Sequence, residues 1–270
     1  MPPGELDRSS GLPLYQQLAD LLRAAIRQGV YAPGDQLPTE PALMEHFGVT
    51  RPIVRGAVAE LRSEGLVSTA QGRGTYVREP ACQPIVRVGG PWRRSGEFEG
   101  KTATFAEIEA TARRPGVRYL QVGRTRAPAE AARRLGIEPG APVAVRRRIL
   151  FADGVPLQVA TSWVPWELAE GTRLADSDCE PEGSYPHLEA AGHLIYTLEE
   201  EITARMPTPE ERRLLQLPPG TPVLRMVRTA RDADGRPLEV ADTVNAADRY
   251  VWLYPYPYKG REAKTLTLRR

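Results

Sequence analysis

The chain repeats itself. The stretch from Arg126, "RAPAEAARRLGIEPGAPVAVRRRILFADGVPLQVATS", and the stretch from Arg205, "RMPTPEERRLLQLPPGTPVLRMVRTARDADGRPLEVADT", follow one plan. Each opens on a proline-initiated helix containing Arg-Arg-Leu and passes through Pro-Gly-x-Pro-Val into a strand. Each then turns at Asp-Gly and returns as a second strand. Asp153-Gly154 and Asp234-Gly235 are hairpin signals, because the tightest hairpin turns need positive φ at both central positions. Two copies of helix plus hairpin build an antiparallel sheet with helices laid on it, an α+β arrangement. Between the copies, "GSYPHLEAAG" reads as a helix and "HLIYTLEEEITARMP" as a long strand. Arg148 and Arg228 stand at the same offset from Pro142 and Pro222. Such a pair of equivalent strand arginines either converges on an anion or is solvated and ion-paired.

The first eighty residues follow another plan. Leu14, Leu18, Leu21, Leu22 and Ile26 recur at helical spacing. Gly29 stands where a helix C-cap favours glycine. Thr39 can cap a second short helix that tolerates Pro41 in its first turn, with Leu43 and Phe47 buried. Thr50 can cap a third helix running to about Gly65. On that helix Val54, Ala57, Val58 and Leu61 form the apolar stripe. Arg51, Arg55 and Arg62 lie within about 40° of one another, and Glu60 and Glu64 point the other way. Pro52, Gly56, Ala59 and Ser63 keep the arginine side slim, and Gly56, which costs roughly 1 kcal/mol in a helix interior, is expected to serve close approach to a polyanion. "LVSTA-QGRG-TYV" then gives a strand, a glycine-rich tip and a strand, with Arg73 projected by Gly72 and Gly74. Three helices and such a hairpin make a winged helix-turn-helix: the third helix enters the major groove, and the wing arginine reaches the minor groove or backbone.

Placement has to carry that argument, since composition does not. Net charge is +2, and only Lys101, Lys259 and Lys264 are lysines, so arginine abundance is a general habit of this chain. No apolar run approaches the ~20 residues of a membrane span, and "MPPGELDRSSG" lacks the apolar core of a signal peptide. Cys82 and Cys179 stand far apart and read as reduced thiols of a cytoplasmic protein. With His46, His187 and His193 they make no metal pattern, and no catalytic Ser/His/Asp order or phosphate loop is present. No cofactor, metal or catalytic residue is expected.

With those motifs in view, residues 14–77 resemble the DNA-binding domain of the GntR family of bacterial transcription regulators. "PLYQQLADLLRAAIRQGVYAPGDQLPTE", "FGVTRPIVRGAVAELRSEGLV" and "QGRGTYV" carry the resemblance. It implies DNA contacts from Thr50, Arg51, Arg55, Gly72, Arg73 and Gly74, with Thr39 and Gln71 completing the set. Pro41 stands where the family usually has arginine, and Pro52-Ile53 where it has a small polar pair. Residues 100–255 resemble the effector-sensing (UTRA) domain of the HutC subfamily, with its chorismate-lyase-like fold, through "LGIEPGAPV", "TSWVP" and "DGRPLE" followed by "DRY". That resemblance implies a homodimer and a small polar or anionic effector. Its charged group falls to Arg148, with Thr104, Ser162, Glu239 and Asn245 as further contacts and Arg228 as the repeat equivalent of Arg148. An acidic position of amino-sugar-sensing relatives is Ala160 here.

The organisation expected is an N-terminal extension (1–11), a winged helix-turn-helix domain (12–78), a linker (79–101) containing at most one short strand, an α+β antiparallel-sheet domain of UTRA type (102–256) and a basic tail (257–270). The functional expectation is a repressor that binds a palindromic double-stranded DNA operator as a homodimer and is released by a small molecule. Two alternatives stand beside it: a constitutive DNA-binding protein whose second domain only dimerises, and a small-molecule enzyme fused to a DNA-binding module.

Overall fold

The computed structural model describes residues 1–70, 73–79, 82–89, 102–176 and 183–254. Gln71, Gly72, Cys179 and the basic tail lie outside these. The chain divides into two compact units, Met1–Ala81 with Leu217–Thr221, and Cys82–Gln216 with Pro222–Arg270.

The first unit holds α1 (Leu14–Arg27), α2 (Glu40–Phe47) and α3 (Arg51–Ser63), then the hairpin β1 (Val67–Ala70) and β2 (Gly74–Val77). Its core is the expected apolar set: Leu18 and Leu22 from α1, Leu43 from α2, and Val54, Ala57 and Leu61 from α3, with Val58 packed at the margin. Thr39 caps α2, its hydroxyl accepting from the Ala42 amide at 3.4 Å. Thr50 occupies the corresponding position of α3, but its side chain makes no cap hydrogen bond. Gly56 has a different purpose from the one its sequence context proposed. A Cβ there would lie 3.2 Å from Tyr15 Cβ, so the glycine admits α1 rather than a polyanion.

The second unit is built on a six-stranded antiparallel sheet of order β4-β5-β6-β9-β8-β7. In chain order its strands are β4 (Pro115–Arg126), β5 (Pro142–Ala152), β6 (Val155–Pro165), β7 (Thr197–Arg205), β8 (Val223–Arg231) and β9 (Pro237–Ala246). Helix α5 (Ala129–Leu135) joins β4 to β5, and α8 (Pro209–Leu214) joins β7 to β8. The duplication is therefore one strand longer than the repeated motif. Each copy is strand, helix, strand, strand, and the copies meet where β6 pairs with β9. β4 had no clear period-2 pattern to announce it. The turn at Asp153-Gly154 has positive φ at both residues (48° and 81°), as a two-residue hairpin requires. Asp234-Gly235 instead sits in a longer loop, where Asp232 Oδ1 accepts from the amides of Asp234 (3.0 Å) and Arg236 (2.8 Å).

Strand alternation assigns the two faces. Val143 packs with Ala132 and Leu135 of α5, Val227 and Val240. Its neighbour Ala144 packs with Leu168, Ala169, Leu174 and Leu188. Leu168 and Ala169 belong to α6 (Trp166–Ala169), and Leu188 to α7 (Tyr185–Ala190). Within the segment read as linker, β3 (Ile85–Val88) pairs in parallel with β10 (Tyr250–Leu253). Ile85 and Tyr250 pack against Ile108 of α4 (Ala103–Glu109).

Arg249 is the largest fully buried side chain. It donates to the carbonyls of Leu215 (2.8 Å), Gln216 (3.4 Å) and Pro156, tying the end of α8 to the start of β6. Arg249→Met would leave these carbonyls without their donor. Orphaned buried acceptors cost roughly 1–3 kcal/mol each, so a loss of about 2–4 kcal/mol is expected, read as a lower thermal midpoint. Unchanged melting would show that the carbonyls find water.

Candidate functional site

In the first unit, α3 presents two opposed charge fields. Glu60 and Glu64 are engaged by Arg23 of α1, at 3.3 Å and 2.8 Å. With these carboxylates held against α1, Arg55 and Arg62 stand exposed on the remaining face. Arg51 is 62 % exposed and pairs with Glu40 of α2 at 3.1 Å. An exposed pair of this kind is worth at most about 1 kcal/mol, so a phosphate can displace it at little cost. In the hairpin, the carbonyl of Arg73 accepts from Gln36 Nε2 (2.9 Å) and the Tyr76 hydroxyl (3.0 Å). Gly74 has φ +116°, and a side chain there would collide with Gln36. The glycine thus fixes the tip: its backbone is anchored while the Arg73 side chain stays exposed.

The second unit carries a half-open cavity of about 250 Å³. Its floor is the sheet face carrying Arg148, Ala160, Ser162, Met226, Arg228, Glu239, Ala241 and Thr243. Register explains the grouping. Arg148 lies opposite Ala160, Ala160 opposite Thr243, and Thr243 opposite Met226. Two residues along each strand, Ser162 lies opposite Ala241, and Ala241 opposite Arg228. Ala160 and Ala241 keep the centre of the floor low, and the polar groups stand around them. Thr102 and Thr104, Ser184 with α7, and Tyr196 supply the walls.

Five of the six residues singled out for a ligand therefore line one cavity: Thr104, Arg148, Ser162, Arg228 and Glu239. Arg148 donates to Ser162 Oγ at 3.3 Å and to the Arg146 carbonyl at 3.3 Å. The Ser184 hydroxyl donates to Glu239 in a short bond. The cap of α4 is Thr102, whose hydroxyl accepts from the Phe105 amide at 3.3 Å, and Thr104 sits in the first turn. Asn245 is the exception. It is 0 % exposed, and its amide donates to the carbonyls of Leu224 (3.1 Å) and Thr243 (3.2 Å), so its donors are spent on the sheet and it does not line the cavity.

Arg228 is already matched with charge. Its Nε donates to Glu200 at 2.9 Å, and the Tyr185 hydroxyl lies within its reach. Burial pushes the Glu200 carboxyl up, but Arg228, with help from Arg87 and Tyr254, more than offsets this and holds it below the usual carboxylate range. Burial also pushes the Tyr185 hydroxyl up to about 12. Tyr254 donates to the other Glu200 oxygen at 3.1 Å. Sequence reading missed Glu200, Tyr185, Ser184 and Arg87. For Arg87 there was a signal, a lone charge inside the apolar run "IVRV", which the linker assignment hid. A second concavity of about 350 Å³ lies on the opposite face, around Thr161 and Trp163. There Arg147 is paired with Glu210 (2.9 Å) and Asp242 with Arg225 (2.7 Å). Among the described residues no group of acids, cysteines and histidines is placed to hold a metal, and no helix is long and apolar enough to cross a membrane.

Comparison with known proteins agrees with this division. Residues 14–77 match the family model of bacterial regulatory proteins of the gntR family, and residues 110–251 match the UTRA domain. An uncharacterized HTH-type transcriptional regulator of Streptomyces coelicolor is 36% identical over 251 residues, covering 90% of this chain and 93% of the relative. The HTH-type transcriptional repressor NagR of Bacillus subtilis is 28% identical over 252 residues, covering 92% and 97%. A crystal structure of a GntR-family transcriptional regulator superposes with a TM-score of 0.70 at 30% identity, covering 92% of this chain and 98% of that one.

The buried Arg228–Glu200 pair generates a prediction. Arg228→Met would leave Glu200 charged and without its ion-pair partner, a change that typically costs about 3–5 kcal/mol. Because Glu200 is held below its ordinary value of 4.5, the pair's contribution is present above that pH and lost as pH falls through the depressed value. The stability gap between wild type and variant should therefore narrow on acidification below about pH 4.5, as followed by urea denaturation. A gap constant with pH would show that Arg228 acts by packing alone.

Proposed function

The chain belongs to the GntR family of bacterial regulatory proteins, in the branch carrying a UTRA domain, and on that premise we propose that it is a ligand-responsive repressor acting as a homodimer on a palindromic operator. Members of this family are transcription regulators rather than enzymes, and the alternative of a fused enzyme falls with that. The observation that supports the ligand-responsive reading best is the cavity. A domain that only dimerised would have no reason to gather half-buried Arg148 with buried Ser162, Thr104 and Glu239 around one cavity, where buried polar groups cost free energy. In this reading Arg148 holds an anionic group of the effector and Ser162 fixes the guanidinium's direction. Glu239 with Ser184 meets its hydroxyls. A planar guanidinium suits a carboxylate or phosphate, which it can grip with two parallel bonds.

On the DNA side, Arg51 and Arg55 read or grip the major groove from α3, with Thr50 and Thr39 beside them. Arg73 follows the minor groove from the wing, flanked by Gly74 and by Gln71 and Gly72. The Thr50 hydroxyl, unused by its own helix, is available to a phosphate. Ligand binding alters operator affinity only if the ligand binds the DNA-competent and released states unequally.

Arg51→Ala and Arg55→Ala are each expected to weaken operator binding by about 1–3 kcal/mol, measured by fluorescence anisotropy on the operator mapped upstream of the gene. Arg73→Ala should weaken all sequences more evenly, since a minor-groove arginine reads width and charge. An effector found by screening metabolites for operator release should act on wild type at least tenfold more strongly than on Arg148→Ala. Equal release from both proteins would move the effector site away from Arg148, and undiminished operator affinity in both helix variants would overturn the docking.

A further inference from the structure

Three arginines line the cavity, and they differ in what answers their charge. Arg228 has Glu200. Arg148 donates to Ser162 and to a carbonyl. Arg87 is 3 % exposed, and among the described residues no carboxylate lies within ion-pair distance of it and its Nε has no hydrogen-bond partner. What it has is an aromatic face. Arg87 stands opposite Trp252 in the β3–β10 register, with its guanidinium carbon 4.8 Å from the ring centroid. A cation over a ring offsets roughly 0.5–2 kcal/mol, well short of the several kcal/mol that burying a charge costs. The imbalance is visible in the group itself: burial, reinforced by the nearby Arg228 and only partly opposed by Glu200 and the tyrosines Tyr250 and Tyr254, pushes Arg87 down to about 10. A chain selected for stability alone would place methionine or leucine here, as it places Ile85 two residues earlier on the same face of the strand.

We propose that Arg87 is a second anion-binding residue of the cavity, seating a carboxylate or phosphate group of the ligand against the Trp252 face. This rests on the reading of the cavity as the effector site and narrows it. The ligand is a small organic acid or phosphate ester whose oxyanion reaches β3, and whose hydroxyl-bearing remainder faces Glu239 and Ser184. Arg87 reaches the cavity from the small parallel pair, Arg148 from the six-stranded sheet. The ligand then bridges two substructures of the second unit, and its charge supplies what the fold leaves unanswered at Arg87.

The test uses the full chain with inorganic phosphate and, separately, malonate, each against sodium chloride at matched ionic strength. Tryptophan fluorescence and the thermal midpoint are the readouts. Wild type is expected to show saturable stabilisation by one or both oxyanions, with a fluorescence change that disappears in Trp252→Phe. Arg87→Met should bind at least tenfold more weakly, yet melt no lower than wild type in chloride, because the variant removes an unpaired buried charge. Arg87→Lys should fold normally and bind at least threefold more weakly, having lost the planar fork. Preference for phosphate or malonate tells a phosphate ester from a carboxylic acid. The proposal is overturned if Arg87→Met binds as wild type does, if the oxyanions stabilise wild type no better than chloride, or if Arg87→Met or Arg87→Lys melts far below wild type in chloride. It is also overturned if the signal vanishes in Arg51→Ala/Arg55→Ala but survives in Arg87→Met, since the phosphate then sits on the DNA-facing helix. Binding lost in Arg148→Met and kept in Arg87→Met would sink this inference alone and leave the cavity as the effector site.

Discussion

The pairing of β6 with β9 is the contact on which the second unit depends. Neither copy of the duplicated strand-helix-strand-strand module has a complete sheet. Only when Ser162 faces Ala241 and Ala160 faces Thr243 does a six-strand surface exist on which a cavity can rest. The register there is strict, because side chains alternate between faces with period two. A slip of one residue would exchange Ala160 and Ser162 for Val159 and Thr161, filling the cavity with branched side chains and turning Arg148's partner away. The low centre formed by Ala160 and Ala241 and the polar ring around it are two consequences of one pairing.

Legibility in the sequence tracks how local each determinant is. The three helices and hairpin of the first unit were readable because caps, apolar spacing and glycines act within a few residues of one another. The duplicated hairpins were readable because repetition doubles a weak signal. β4 was not, since Pro115, Gly116 and Gly123 interrupt it and its side chains alternate poorly between core and solvent. β3 was read as no more than the one short strand allowed in a linker, because of the prolines and glycines around it, and Arg87 was passed over with it. The ligand candidates on the repeat, Arg148, Ser162, Arg228 and Glu239, line one cavity together with Thr104, while Asn245 does not. Asn245 sits at a strand position close to Glu239 and Thr243, yet its amide is used by backbone carbonyls, which no pattern in one dimension reports. Gly56 shows the converse: the sequence flagged an unusual glycine, and only packing against Tyr15 says what it is for.

Arginine is this chain's nearly exclusive cation, so the residue type carries little information and the partner carries all of it. Arg249 is buried among carbonyls and is structural. Arg23 and Arg228 are matched by carboxylates, which fixes α1 to α3 in one case and positions a cavity wall in the other. Arg51 has a partner it can exchange at little cost, Arg55 and Arg73 are exposed, and Arg87 is buried with no carboxylate at ion-pair distance, sharing the field of Glu200 with Arg228. That ordering runs from charges the fold has fully answered to charges it has left for something else to answer. Of these arginines, the weakly answered ones lie on the outward side of α3, at its wing and in the cavity. On the function proposed above, the helix and wing are where the duplex binds and the cavity is where the small-molecule effector binds. Coupling between them needs no special wire. It needs the small molecule to favour one state of the protein and the duplex another.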